Sequence, residues 1–284
     1  MEKLTSILVV VEGAASGTKI LEKAMVLARG FGARVDLMLC DTPDMKAFAT
    51  LCQERGYDEV VLCSVFRSAE PLADAILRRV HETSPDMVVK ALTLPHGAAG
   101  FDRDDQYLAA ACPVPLLLMR DQRWRSPVRI AGAVDVSGEN AALARSILHT
   151  SGFLSLGLEG ELDVFYSERE QQDEVMRMAH AVKLARLVRE FHVDGERLRH
   201  IDGAPEETLP PIAASGDHDV LVLGALTQRH GFSTMHATLT RKLVEACTGD
   251  VMLIKEEERT APVARQVPLR FRATSSPRPA IPRS

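Results

Sequence analysis

The chain has 284 residues, a formal net charge of -5, 46% apolar and 26% charged residues, and only 5% aromatics. That length favours two domains, each able to bury a core, and the composition excludes disordered, fibrous and strongly basic nucleic-acid-binding classes. No apolar run approaches the ~20 residues needed to cross a bilayer, so membrane insertion is not expected.

Residues Ser6–Val11 form an unbroken β-branched and aliphatic run ending in Glu12. A helical pattern over 17–31 follows, with Ile20, Leu21, Ala24, Leu27 and Ala28 on one face. The alternation continues with a strand over 33–40, a helix over 45–55, a strand over 59–66 and a helix over 71–81. A strand over 86–92, a helix over 104–112 and a strand over 115–119 complete the first series. Strands separated by helices imply right-handed crossovers and a mainly parallel sheet covered on both faces.

After a polar stretch around 121–127 the programme restarts. A strand over 128–134 ends in Asp135, as the first ends in Glu12. A helix over 140–150, a strand over 162–166, a helix over 172–191 and a strand near 197–201 come next. A short helix carrying Pro210 and Pro211 precedes a strand over 219–223, a helix from about Thr238 to Ala246, and a last strand over 250–254. The chain therefore reads as a duplication: a domain over 1–122, a second over 127–256, and a Pro/Arg/Ser-rich basic tail over 257–284 that cannot bury enough to fold alone.

Ligands of open parallel sheets bind at the carboxyl ends of the strands, so Glu12 and Asp135 are candidates to accept hydrogen bonds from a ribose or an adenine amino group. The alternative for each is a carboxylate that caps the next helix or is solvated. Cys40, Cys52, Cys63, Cys112 and Cys247 lack Cys-x-x-Cys spacing and read as buried thiols; His180, His192, His200 and His218 fit no metal spacing, and His230 and His236 read as exposed loop histidines, with a zinc pair the alternative. No Walker loop, nucleophile elbow or zincin helix is present, so the chain reads as a binding protein, with weak ATP hydrolysis the remaining enzymatic option. The segment Met1-Glu2-Lys3 has no signal-peptide layout, which points to the cytoplasm.

The most informative loop runs from Leu223-Gly224 to Ala237-Thr238. With the closing Cys247-Thr248-Gly249-Asp250-Val251-Met252-Leu253-Ile254 it resembles the C-terminal signature of universal stress proteins. ATP-binding members of that family carry Gly, two residues, Gly, nine residues, then Gly and Ser or Thr, so that bare N–H groups and a helix N-terminus wrap phosphates. Here Gly224 matches the first glycine, Thr227 replaces the second, Ala237-Thr238 replaces the final pair, and Gly231 lies near a further commonly seen glycine. The junction from Ala111-Cys112-Pro113 to Trp124 is similar to that of the tandem, E-type members. The first-copy stretch Leu92-Thr93-Leu94-Pro95-His96-Gly97 lacks the glycine motif.

This resemblance implies an α/β fold of two tandem flavodoxin-like, doubly wound domains packed as an intramolecular pseudo-dimer, with a stress-related regulatory role. It implies an adenine-nucleotide or other small-molecule site in the second domain, drawing on Asp135, Val136, Gly224, Arg229, Gly231, Ala237 and Thr238. ATP with magnesium is the expected ligand if that motif still works. The alternative is an acyl or other metabolite binder, or a protein-docking scaffold without ATP. Pairing with a second copy as a homodimer is left open, and no metal is expected.

Overall fold

The computed structural model describes residues 3–12, 14–40, 45–58, 60–65, 70–92, 101–136, 141–168, 173–191, 193, 197–225 and 234–256. The first half contains β1 (Ser6–Val11), α1 (Ala14–Phe31), β2 (Arg34–Cys40), α2 (Met45–Arg55), β3 (Val60–Val65), α3 (Leu72–Thr83), β4 (Met87–Ala91), α4 (Arg103–Ala111) and β5 (Leu116–Met119). The second contains β6 (Arg129–Val134), α5 (Ala141–Gly157), β7 (Glu161–Glu168), α6 (Glu174–Glu190), β8 (Leu198–Asp202), α7 (Pro205–Ala214), β9 (Val220–Gly224), α8 (Thr234–Ala246) and β10 (Asp250–Ile254).

The ten strands among the described residues form one sheet in the order β3-β2-β1-β4-β5-β10-β9-β6-β7-β8. Each half is parallel within itself and has the same internal order, so the duplication read from the sequence is a duplication of topology. The halves meet where β5 pairs antiparallel with β10 through Leu118↔Val251, Leu117↔Met252 and Leu116↔Leu253. Because that seam is antiparallel, the carboxyl ends of the two sets of strands open at opposite ends of the sheet.

The central strands are buried on both faces, which is why they read as continuous aliphatic runs rather than alternating ones. Ile7, Leu8, Val9 and Val10 are all fully buried. One core lies between the sheet and α1, α2, α5 and α6, and the other between the sheet and α3, α4, α7 and α8. Each is a single cluster spanning both halves.

The repeat extends to polar contacts. Asp86, just before β4, accepts from Thr5 N at 2.6 Å, Thr5 Oγ1 at 2.7 Å and Ser6 N at 3.0 Å. Asp219, just before β9, accepts from Arg129 N at 2.8 Å. In both halves a carboxylate ties the start of the first strand to the start of the fourth, satisfying backbone N–H groups that the ladder leaves open.

Beside the β5–β10 seam, further contacts fasten the halves to each other. On one face of the sheet α1 packs on α5, where Phe31 and Phe153 stack with ring centroids 4.5 Å apart. The approach is close enough that a Cβ on Gly30 would sit 2.3 Å from the carbonyl oxygen of Gly157, and one on Gly157 only 2.1 Å from the Phe31 ring. Gly157→Ala is therefore expected to push Phe31 off its stack and destabilise the protein by about 1–3 kcal/mol. Thermal unfolding of the variant measures this, and an unchanged midpoint would show that the helices separate freely.

The second contact is a buried polar hub. Lys23 Nζ of α1 reaches Asp250 of β10 at 2.5 Å and donates to the Arg120 carbonyl at 2.8 Å. Asp250 also accepts from Arg120 N at 2.7 Å and from Trp124 Nε1 at 2.8 Å. The Lys23 ammonium lies 5.5 Å from the Trp124 ring centroid. Burial pushes the lysine down and the carboxyl up, each opposed by the charge of the other. First helix, inter-half junction and last strand are thus joined at one carboxylate.

Three helix boundaries differ from the sequence pattern by three residues or more. Helix α5 runs on from Thr150 to Gly157, through Gly152, because Ser151 and Leu154 are buried and Phe153 stacks on Phe31. Packing there outweighs the weak helix preference of glycine. Helix α1 begins at Ala14 rather than Gly17, and α8 at Thr234 rather than Thr238. Cys40, Cys52, Cys112 and Cys247 are buried free thiols, and burial pushes the Cys52, Cys112 and Cys247 thiols up.

Candidate functional site

The sequence places one crevice at the carboxyl ends of β1 and β4 and a second at those of β6 and β9. In the first, the exposed Glu12 follows β1, and its carboxylate meets Lys90 Nζ of β4 at 2.9 Å. Lys90 also lies 2.9 Å from the carboxylate of Asp105 on α4. Lys90 is 4% exposed and Asp105 2%. Burial works against the Lys90 ammonium, but Asp105 and Glu12 outweigh it and raise its pKa. Burial pushes the Asp105 carboxyl up, against the pull of Lys90.

Glu12 is thus one arm of an ion cluster at the end of its strand, with Lys90 between it and the buried Asp105. Asp102, in the acidic stretch that follows, caps α4 by accepting from Asp105 N at 2.7 Å. Lys90 was missed by the reading of motifs. The available signal was a single lysine inside the otherwise apolar Met87–Ala91 strand, since a lysine is almost never fully buried unless paired.

The second crevice is built differently. The pairings Ile7↔Met87 and Ile130↔Val220 set the two halves in the same register, so Leu223 stands where Lys90 stands. Thr240, seven residues before Cys247, stands where Asp105 precedes Cys112. Its hydroxyl donates to the Gly224 carbonyl at 3.2 Å. Asp135 follows β6 as Glu12 follows β1 and is partly buried, and Val136 beside it is fully buried.

Gly224 closes β9, and Ala225 N continues the ladder by donating to the Ile254 carbonyl at 2.6 Å. A Cβ at Gly224 would fall 2.6 Å from Leu143 Cδ2, so the missing side chain makes room for α5 against the strand end. Asp135, Val136 and Gly224 are brought to one end of the sheet by adjacent parallel strands. Arg229 and Gly231 lie outside the described residues, as do the side chains of Ala237 and Thr238, whose backbone belongs to the first turns of α8.

Over 175 residues the chain is 26% identical to the universal stress protein E homolog of Haemophilus influenzae, covering 54% of this chain and 57% of that protein. Over 215 residues it is 24% identical to universal stress protein E of Salmonella typhi, covering 67% of each. The chain is thus similar to universal stress proteins of the E type over more than half of its length. The match spans little more than half the length of the Haemophilus protein.

Solved universal-stress folds superpose over nearly the whole described body. A functionally unknown protein from Pseudomonas aeruginosa PAO1 aligns with a TM-score of 0.77 at 22% identity, over 90% of this chain and 94% of that one. A universal stress protein from Archaeoglobus fulgidus aligns with a TM-score of 0.63 at 14% identity, over 89% and 97%. No protein-family model matches the chain. Within the universal stress fold the candidate crevices sit where an open parallel sheet takes its ligands.

Among the described residues no group of histidine, cysteine and carboxylate side chains is placed to hold a metal ion. None of the described helices is long and apolar enough to cross a membrane.

Proposed function

We propose that this chain is a stress-related regulatory protein whose second crevice takes an adenine nucleotide, while the first has become a fixed structural element. One contrast carries the reading. The first crevice is filled from within by Lys90 between Glu12 and Asp105, whereas the second has the uncharged Leu223 and Thr240 at the matching positions. An acidic group at the end of the first strand, Asp135, is retained.

In this reading Asp135 accepts hydrogen bonds from ribose hydroxyls or the adenine amino group, and Val136 packs beside the base. Thr238 and Arg229 would meet the phosphates and their magnesium ion. The nucleoside end of this reading draws on the described Asp135 and Val136, and its phosphate end on Arg229 and the Thr238 side chain, which lie outside the described residues.

A second reading, an uncharged or apolar metabolite in the same crevice, draws support from the apolar Leu143 packed against Gly224. Titration calorimetry with ATP and magnesium separates the two. Saturable heat in the micromolar range, weakened at least tenfold by Asp135→Ala, supports the nucleotide. No heat up to millimolar ATP leaves the metabolite or scaffold reading. Gly224→Val is a poor control, since its added methyl groups would collide with Leu143 and disturb packing rather than binding alone.

A further inference from the structure

Helix α6 carries more than its place in the fold requires. Its counterpart in the first half, α2, makes the same crossover between the second and third strands of its half with 11 residues, whereas α6 has 17. His180, Leu184 and Leu187 fasten α6 to the sheet, and every residue from Asp173 to Ala179 is exposed.

On the side turned away from the sheet, at alternating spacings of three and four, lie Val175, Met178 and Val182. They are 75%, 66% and 68% exposed, the highest values among the large hydrophobic residues described. The same stripe continues through Ala185 to Arg189. Arg177, Lys183, Arg186 and Arg189 have no ion-pair partner among the described residues, while Arg34, Arg55, Arg78 and Arg145 elsewhere each meet a carboxylate. A helix that is apolar on its outer face and rimmed by unpaired cations suits a partner that is apolar inside and anionic at its boundary.

We propose that the outer face of α6 docks on an anionic lipid surface, lying in the plane of the headgroups. Val175, Met178 and Val182 enter the acyl boundary, and Lys183, Arg186 and Arg189 meet the headgroup phosphates. Charge complementarity selects this occupant, because a chain of net charge -5 approaches an anionic surface only through a local excess of cations. A single short amphipathic face binds weakly and reversibly, so salt should release it.

Flotation of the full chain with phosphatidylcholine vesicles and with mixed phosphatidylcholine–phosphatidylglycerol vesicles tests the proposal. The anionic vesicles should carry the protein at low salt and release it at high salt, and the neutral ones should not. The pair Met178→Asp/Val182→Asp should lower the bound fraction at least tenfold, and Arg186→Gln/Arg189→Gln about tenfold, on anionic vesicles only. All four positions are exposed, so circular dichroism melting should match the parent and show that folding is intact. Protein that stays unbound on both vesicle types overturns the proposal, as does binding that survives Met178→Asp/Val182→Asp. A parent that is dimeric by light scattering, becomes monomeric in that variant and ignores vesicles would assign the face to a second copy instead.

Discussion

Lys90→Leu is expected to cost about 3–5 kcal/mol of stability, and adding Asp105→Thr should recover most of the loss. The single change removes the ammonium that compensates two carboxylates. Glu12 can turn to solvent, but Asp105 is buried and cannot. The double change installs the pair that the second half already uses, Leu223 and Thr240, so no charge is left in the core. Urea unfolding of the parent, single and double variants measures the difference, and a double variant no better than the single would refute the account.

The penalty should also depend on pH. Burial already raises the Asp105 carboxyl, and removing Lys90 takes away the charge that opposes this. In Lys90→Leu the folded state therefore binds a proton at Asp105 more readily than the unfolded chain. Stability of the variant relative to the parent then rises as pH falls toward the unfolded carboxylate value and declines as pH rises through the elevated folded one. A smaller penalty at pH 5 than at pH 8 is the expected result. In the parent, the raised Lys90 pKa means its contribution persists through neutral pH and fades only above the ordinary lysine range.

Asp250→Asn should destabilise by a similar ~3–5 kcal/mol, since it leaves the buried Lys23 ammonium without its carboxylate partner. Lys23→Met combined with Asp250→Leu should lose far less, because replacing a buried pair by apolar groups removes the desolvation cost together with the attraction. The chain has a single tryptophan, Trp124, which donates to this carboxylate, so its fluorescence reports the hub directly. Equal losses in the single and paired variants would mean that shape, not charge, holds the junction.

Most of the fold was legible because both kinds of signal were local. Unbroken aliphatic runs such as Ser6–Val11 and Asp250–Ile254 can only be strands buried on both faces, and the Glu12 and Asp135 endings exposed the repeat. What escaped was set by contacts distant in sequence. Nothing near Gly152 indicates that the helix continues, since the reason is Phe31, far away in the first half. The strand-end carboxylates were legible as positions, yet the ion pair of Glu12 depended on a lysine three crossovers later. A sequence pattern gives the position of a carboxylate at a strand end but not the charge that the next strand brings to it.

The seam between β5 and β10 has a consequence for how the protein is made. When the first half leaves the ribosome, β5 (Leu116–Met119) presents a bare hydrogen-bonding edge whose intended neighbour, β10 (Asp250–Ile254), is synthesised only after the whole of the second half up to α8. Until Asp250–Ile254 emerges, that edge is open to any strand in reach, including the same strand of a neighbouring nascent chain. Translation pace and chaperone cover over the second half therefore bear on whether the sheet is completed within one polypeptide or shared between two.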